Sequence, residues 1–327
     1  MKIRTYTEQG VTFTEVINDK NLKVVFSNLG AAIFSIRFDN YVMTRNVKEI
    51  SDFLIEKKYY GKTIGRVSNR MRGNKFRLND EVFEVPANEG ENTLHGGHNG
   101  VSTLFFDLNT VKNDDKIELV YSRRIKDLED GYPGNLDLEV KYIVYLNSNE
   151  LDIEYHGVSD KDTVLSLTNH AYFTLGCKSI RGLTLQIDAD NYLDTDPETL
   201  LPIDRKFVSK ALDFRKPKKI TEDIEDESLH ATKLNGYDHY LYFTNKNSDD
   251  KKLTLSNAKF SLDMYTNYQG VQIYTSGFNP GVALYPECDY LYNSVAIEPS
   301  DTFRYLHLLR KGEVYSRTIK YVFTSKE

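Results

Sequence analysis

The stretch Leu136-Asp137-Leu138-Glu139-Val140-Lys141-Tyr142 alternates apolar and charged side chains. Successive side chains of a β-strand point to opposite faces, so this period of two predicts a strand with one buried and one exposed face. The polar segment Asn147-Ser148-Asn149-Glu150 follows, and the alternation resumes at Leu151, Ile153 and Tyr155. The two stretches and the polar segment between them predict a β-hairpin.

Similar strand signals recur along the chain, whereas sustained helical periodicity is absent. The 23 Tyr and 17 Phe residues supply large side chains that suit a pleated surface. A second hairpin is predicted around the turn Asn79-Asp80, between Phe76–Leu78 and Phe83–Val85. The sequence therefore predicts an all-β protein. Further predicted strands cover Val11–Val16, Leu22–Phe26, Ile33–Phe38, Ile117–Tyr121, Leu183–Ile187, Tyr240–Phe243, Leu253–Leu255, Val271–Tyr274 and Ile319–Phe323.

The length of the chain favours one large domain. Its 327 residues contain no evident linker, low-complexity tract or fixed-period repeat, so residues 1–327 are predicted to form a single domain. This length exceeds the usual range for one core, and a long antiparallel β-sandwich fits it better than a small barrel. A sandwich with a concave face would offer a cleft for a small polar ligand such as a sugar.

Composition excludes several classes of partner. The formal charge is −6, and the 42 Lys and Arg residues are scattered among 48 Asp and Glu, so nucleic acid is not an expected partner. No stretch approaches the roughly 20 apolar residues of a membrane span, and the N-terminus is polar, which predicts a cytoplasmic protein. Cys177 and Cys288 are predicted to be free thiols. The sequence leaves a monomer and a homodimer equally open.

His170 is the clearest functional signal, because it lies within the otherwise strand-like run Thr168-Asn169-His170-Ala171-Tyr172-Phe173. In an extended strand His170 shares a face with Thr168 and Tyr172. A polar face of this kind suits the wall of a cleft. An ordinary core or surface histidine is the alternative interpretation.

Glu298 follows the apolar run Val295-Ala296-Ile297. Burial of a carboxyl group without partners raises its pKa, which is useful to a general base that works near neutral pH. An exposed strand end would explain the same pattern equally well.

Three other segments carry polar candidates with ordinary alternatives. Arg66 and Arg70 would share one face of an extended segment. The ordinary alternative is a surface face that forms salt bridges, which is the commoner role of arginines. In His95-Gly96-Gly97-His98 the glycines would let the backbone turn and approach a ligand. The two histidines of that segment would need at least one further ligand to hold a metal, and no metal is predicted. Asp238 belongs to the turn-like segment 235–239, where an Asx turn is routine.

Taken together, these segments resemble the aldose 1-epimerases, or galactose mutarotases, over nearly the whole chain. The resemblance implies their fold, a galactose mutarotase-like β-supersandwich. The matching segments follow the order of the family: Asn28–Ala31, Tyr60–Arg66 with Asn69-Arg70, Asn92–Gly97, Gly131–Leu136, Thr168–Phe173, Gly236–His239, Gly270–Thr275 and Ile297–Pro299.

The resemblance also implies an enzyme that interconverts the α and β anomers of free hexoses such as galactose and glucose. It implies that Glu298 acts as general base on the anomeric hydroxyl and His170 as general acid on the ring oxygen. It implies no cofactor and no metal. Arg66 is expected to be structural. The residues expected to hold sugar hydroxyls are Asn69, Arg70, His95, Asp238 and Gln272.

Other functions remain as alternatives. A hexose-6-phosphate 1-epimerase would need cations for the phosphate, for which Arg304 and Arg310 are candidates. A non-catalytic carbohydrate-binding protein could share the fold. A glycoside hydrolase could use Asp238 with Glu298, although it would leave His170 unexplained. The segment Ser300–Arg304 departs from the family pattern and could alter the cleft rim. No matched role exists for His98, His156, His230, His239 and His307.

Overall fold

The computed structural model describes residues 1–230, 235–288 and 291–326. Its first half contains β1 Lys2–Glu8, β2 Val11–Ile17, β3 Leu22–Ser27, β4 Ala32–Phe38, β5 Tyr41–Val42, β6 Thr44–Val47, α1 Ile50–Ile55, β7 Thr63–Ile64, β8 Arg70–Met71, β9 Lys75–Leu78, β10 Glu81–Glu84, β11 Thr93–Leu94, β12 Asp107–Lys112, β13 Lys116–Ile125, β14 Leu136–Tyr145 and β15 Glu150–Ser159. Its second half contains β16 Thr163–Val164, β17 Thr168–Asn169, β18 Tyr172–Phe173, β19 Thr184–Ile187, β20 Ala189–Thr195, β21 Pro202–Phe207, β22 Lys218–Lys219, α2 Glu227–His230, β23 Asp238–Phe243, β24 Leu253–Ser256, β25 Phe260–Thr266, β26 Gly270–Tyr274, β27 Leu284–Tyr285, β28 Val295–Ser300, β29 Leu308–Leu309 and β30 Val314–Ser325.

Three antiparallel sheets carry most of these strands. A nine-stranded sheet has the order β12-β13-β14-β15-β30-β25-β24-β19-β22. An eight-stranded sheet has the order β21-β20-β23-β26-β28-β18-β6-β27, and a five-stranded sheet runs β1 to β5 in sequence order. The all-β prediction is therefore confirmed.

The predicted hairpin that begins at Leu136 is confirmed as β14 and β15, with Leu138 opposite Gly157 and Tyr142 opposite Ile153. Along β14 the apolar side chains Leu136, Leu138 and Val140 are buried, while the charged residues between them are exposed. The hydrophobic effect fixes this register, because a shift by one residue would move every apolar side chain to the solvent face.

A single hydrophobic cluster joins the three sheets. It contains Phe26 of the five-stranded sheet, Tyr155 and Tyr321 of the nine-stranded sheet, and Val271 and Ile297 of the eight-stranded sheet. Each sheet therefore contributes one face to a shared core, as in a sandwich. The opposite face of the eight-stranded sheet is free to carry polar side chains.

The strand predicted around His170 is only partly correct. The chain forms two short strands there, β17 and β18, and His170 lies between them. Its N–H donates to the carbonyl of Lys62 at 2.9 Å, and its own carbonyl accepts from Gly61 N–H at 2.9 Å. His170 is therefore held by the segment before β7 instead of by a long continuous strand.

Cys177 and Cys288 form no disulfide bond among the described residues. Among the described residues no helix is long and apolar enough to cross a membrane.

Candidate active site

A cavity of ≈ 230 Å³ lies on the polar face of the eight-stranded sheet. Strand pairing builds its floor: Gln272 lies opposite Glu298, and Tyr274 lies between Asp238 and Ala296. Loops before and after β7, β8 and β11 complete its walls. All seven predicted site residues line this one cavity, together with eight others: Lys57, Lys58, Tyr59, Glu89, Leu94, Tyr172, Tyr274 and Phe278.

Glu298 is a buried carboxyl group on the floor of the cavity, with 3% of its side chain exposed. The neighbouring residue in the strand, Ile297, points to the other face of the sheet, where its side chain enters the hydrophobic core. Burial raises the pKa of Glu298 well above its ordinary value; the negative charge of Asp238 raises it further, and the positive charge of Arg70 opposes the shift. Glu298 is therefore suited to bind a proton near neutral pH.

His170 faces Glu298 across the cavity, with Nε2 3.4 Å from the carboxylate Oε1. Burial lowers the pKa of His170 to about 3, and the positive charge of Lys58 acts in the same direction. The other ring nitrogen, Nδ1, is buried and has no hydrogen-bond partner among the described residues. A buried imidazole with an unused nitrogen is costly unless a ligand contacts it.

His95 presents a hydrogen-bond donor to the cavity. Its Nδ1 accepts the backbone N–H of Asn69 at 3.1 Å, so in the neutral ring the hydrogen is on Nε2. The His95 ring meets the His170 ring edge to face at 5.3 Å, and Tyr59 packs against His95 at 4.7 Å. Burial lowers the pKa of His95 well below its ordinary value, and electrostatic interactions with His170 and Arg70 lower it further. The ring is thus a neutral donor.

A chain of hydrogen bonds connects the remaining predicted residues. Asn69 Nδ2 donates to Gln272 Oε1 at 3.0 Å, and Gln272 Nε2 donates to Asp238 Oδ1 at 2.5 Å. Arg70 Nη1 donates to Asp238 Oδ2 at 3.4 Å. Arg70 also donates from Nε and Nη2 to both oxygens of Glu89, at 2.7 and 2.9 Å. The chain fixes a row of donors and acceptors beside the Glu298 and His170 pair, an arrangement suited to a ligand rich in hydroxyl groups.

Backbone conformation places Asn69 and His95 where they are. Both residues have positive φ values, +63° and +52°. Gly96 follows, and a Cβ atom there would lie 1.8 Å from the carbonyl oxygen of Gly65. The sequence suggested that this glycine allows close approach to a ligand, but the structure shows that it allows close packing of two chain segments.

Comparison with known proteins decides the family. The family model for aldose 1-epimerase matches residues 13–322. An aldose 1-epimerase of Haemophilus influenzae is 32% identical over 81% of this chain and 78% of its own length. The galactose mutarotase of Homo sapiens is 32% identical over 84% of this chain and 82% of its own length.

The chain belongs to the aldose 1-epimerase family. The crystal structure of galactose 1-epimerase from Lactobacillus acidophilus NCFM superposes with a TM-score of 0.89 at 26% identity, and covers 100% of this chain and 99% of that one. The family implies a sugar substrate, and the activity class is interconversion of anomers.

A metal ion fits this site poorly. One potential ligand atom from each of His95, His170 and Glu298 lies within 4.8 Å of the others. However, the hydrogen bond from Asn69 N–H occupies Nδ1 of His95 and leaves the hydrogen on Nε2, where a ligand would need a lone pair. His98, the other member of the His-x-x-His pair, is exposed and does not line the cavity.

Other candidates from the sequence lie elsewhere in the protein. Arg66 is fully buried and donates to Asp130, as expected of a structural arginine. Arg304 pairs with Asp204 at 3.0 Å, and neither Arg304 nor Arg310 lines the cavity. The segment that begins at Ser300 does not line the cavity either. The cavity is also not lined by His98, His156, His239 or His307, and the side chain of His230 lies outside the described residues.

Sequence analysis missed the residues that surround the predicted ones. Tyr274 could have been found, because it follows Gln272 by two positions in a strand and so shares its face. Tyr59, Glu89 and Phe278 come from loops, where periodicity gives no signal.

Proposed function

We propose that this protein acts on free hexoses such as galactose and glucose, with Glu298 as general base and His170 as general acid. The observation that carries the proposal is the 3.4 Å approach of His170 Nε2 to Glu298 Oε1 in a buried cavity. Ring opening of a cyclic hemiacetal needs one proton removed from the anomeric oxygen and one added to the ring oxygen. Two proton-transferring groups beside one carbon meet this need.

The two groups share one proton before the sugar binds. Burial disfavours both charged forms, so it favours protonated Glu298 beside neutral His170. Transfer of that proton from Glu298 to His170 produces the base and the acid together, without proton exchange with solvent. Sugar hydroxyl groups that donate to the carboxylate would favour this transfer, because they replace the water that burial removed.

The reaction then balances with no further reactant. Glu298 accepts the proton of the anomeric hydroxyl, the C1–O5 bond breaks, and His170 delivers its proton to O5. Rotation about C1–C2 by about half a turn presents the other face of the aldehyde, and reclosure with both proton transfers reversed yields the other anomer.

The remaining residues would orient the sugar. Arg70 has N–H groups beyond those bonded to Glu89 and Asp238, and Gln272 and Asn69 add amide donors and acceptors. His95 would donate from Nε2 to a sugar oxygen near His170. Asp238 accepts from both Gln272 and Arg70, which supports a role as hydrogen-bond acceptor more than one as the second carboxyl of a glycoside hydrolase.

Polarimetry of freshly dissolved α-D-galactose and α-D-glucose tests the proposal. We expect the wild-type protein to speed the approach to anomeric equilibrium and His170→Asn to lose about 10²- to 10⁴-fold in kcat. His98→Asn is the matched control, since His98 is exposed and outside the cavity. Wild-type rates equal to the buffer rate for both sugars would refute the proposal.

A further inference from the structure

Two lysines in the wall of the cavity have no anionic partner among the described residues. Lys57 and Lys58 both line the cavity and are exposed, and neither forms an ion pair with any described carboxylate. Arg70, in the same cavity, is paired with Glu89 and Asp238. The positive charge of Arg70 is thus compensated by protein groups, whereas the charges of the two lysines are left to solvent or ligand.

The backbone that carries these lysines is fixed. Lys58 N–H donates to Glu56 Oε2 at 2.6 Å, and the carbonyl of Lys58 accepts from the hydroxyl of Tyr172 at 2.9 Å. Glu56 is itself paired with the buried ammonium group of Lys62 at 2.9 Å. Lys62 also donates to the carbonyl of Phe53 at 2.8 Å. Hydrogen bonds therefore hold both the N–H and the carbonyl group of Lys58 in place.

The same wall lies on the His170 side of the cavity. Tyr59, the next residue, has its ring 5.9 Å from the ring of His170, and the charge of Lys58 contributes to the lowered pKa of His170. In the proposed function, on which this step rests, His170 contacts the ring oxygen O5. C5 is bonded to both O5 and C6, so an aldose bound in this orientation would carry its C6 substituent on the His170 side of the cavity, which is also the side of Lys57 and Lys58.

We propose that Lys57 and Lys58 form a subsite for an anionic group at C6 of an aldose. Two substrates carry such a group: an aldose 6-phosphate, and a uronic acid, whose C6 is a carboxylate. A lysine ammonium group is a compact charge on a flexible stem, so the pair can follow either anion without a fixed bidentate geometry.

The test compares kcat/KM for glucose 6-phosphate and for glucuronate with kcat/KM for glucose, each corrected for its buffer rate. At low salt the wild type should prefer at least one anion over glucose by roughly tenfold, the effect expected of two exposed ion pairs. A preference for the phosphate alone, or for the carboxylate alone, identifies which anion the subsite takes. A ratio near one for both anions would overturn the proposal.

Substitutions of Lys57 and Lys58 test whether these two lysines cause the preference for the anionic sugar. In Lys57→Met/Lys58→Met the anion-to-glucose ratio should fall to about one, while Lys57→Arg/Lys58→Arg should retain it. Lys112→Met/Lys246→Met is the control, because it removes the same charge from exposed positions that do not line the cavity. A ratio that persists in the first variant, or one that falls equally in the control, contradicts the proposal.

A salt series on the wild type gives a readout that does not depend on folding of any variant. The anion-to-glucose ratio should decrease from about 0.05 M to about 0.5 M NaCl, because exposed ion pairs are screened. A ratio independent of salt would contradict the subsite. Activity on glucose with no anion preference refutes the subsite alone, whereas absence of activity on glucose and galactose refutes the proposed function.

Discussion

Two buried polar clusters in this protein differ in how fully they are hydrogen-bonded. Arg66 and Asp130 are both fully buried, and Arg66 donates to Asp130, Thr163 and the carbonyls of Pro133 and Gly134. In the His170 and Glu298 pair the nearest approach is 3.4 Å.

This difference in hydrogen bonding distinguishes a structural cluster from one that can bind a ligand. The arginine cluster is satisfied by protein atoms alone, so it leaves nothing for a ligand. The His170 and Glu298 pair keeps an unused ring nitrogen and a carboxylate with few partners, both beside a cavity. A buried polar group that the protein leaves unsatisfied and that also lines a cavity is available to a ligand.

The largest effect is expected for Glu298→Gln, which should reduce activity without reducing stability. We expect kcat to fall by about 10²- to 10⁴-fold, because glutamine cannot accept the proton. The free energy of unfolding should stay equal or rise, because the variant no longer buries a carboxyl group that can ionise. Polarimetry and urea denaturation measure the two quantities. Loss of stability without loss of activity would reverse our assignment of the two clusters.

Arg66→Met should show the opposite behaviour. It leaves Asp130 buried without its counter-charge, and removal of one partner from such a pair costs about 3–5 kcal/mol of unfolding free energy. Urea denaturation is the measurement. The double variant Arg66→Met/Asp130→Leu is the control and should recover part of the loss. Wild-type stability of the single variant would show that the cluster is not structural.

The pH dependence of stability should reveal His170 as a buried neutral group. Its pKa is lowered to about 3 in the folded protein, against about 6.5 unfolded. Below the unfolded pKa only the unfolded chain binds the proton, so stability decreases as the pH falls towards the folded pKa.

Urea denaturation of wild type and His170→Asn between about pH 6 and about pH 4 isolates this contribution. The wild type should lose on the order of 1 kcal/mol more per pH unit than the variant. Glu298, with its raised pKa, acts in the opposite direction in both proteins and so does not account for the difference. Parallel curves would mean that His170 is charged in the folded state.

The smallest effect is expected for Glu89→Gln, which weakens the bidentate contact to Arg70. We expect KM for galactose to rise roughly threefold to tenfold with little change in kcat, because a charge-assisted contact at a partly exposed site is weakened. Michaelis–Menten analysis by polarimetry measures both constants. Glu91→Gln, an exposed neighbour outside the cavity, is the control and should match wild type. A fall in kcat with unchanged KM would contradict the orienting role of Glu89.

Sequence patterns predicted the strands because side-chain alternation is a direct consequence of burial on one face. The first half of β14 shows this most clearly, since Asp137 and Glu139 are exposed while Leu136, Leu138 and Val140 are buried. The strand predicted around His170 was only partly correct, because contacts with Gly61 and Lys62 from a distant segment decide the backbone there. Local periodicity carries no information on such contacts.

The site residues that lie in family motifs could be predicted from the sequence, whereas the loop residues around them could not. The resemblance supplied Glu298, His170 and the five hydroxyl-binding candidates, and all of them line one cavity. Loop residues such as Glu89 and Lys58 were not predicted, because their position depends on how loops fold over the sheet. Their roles remain proposals that the experiments above can test.

The hydrogen bond from Asn69 N–H to His95 Nδ1 has an evolutionary consequence. A backbone amide, not a side chain, selects the tautomer of His95, so ordinary substitutions at position 69 keep the donor. Proline alone lacks it, and proline requires φ near −65°, whereas Asn69 has φ of +63°. The backbone conformation at position 69 therefore disfavours the only residue type that lacks this N–H. The tautomer of His95 is in this way insensitive to the identity of the side chain at position 69.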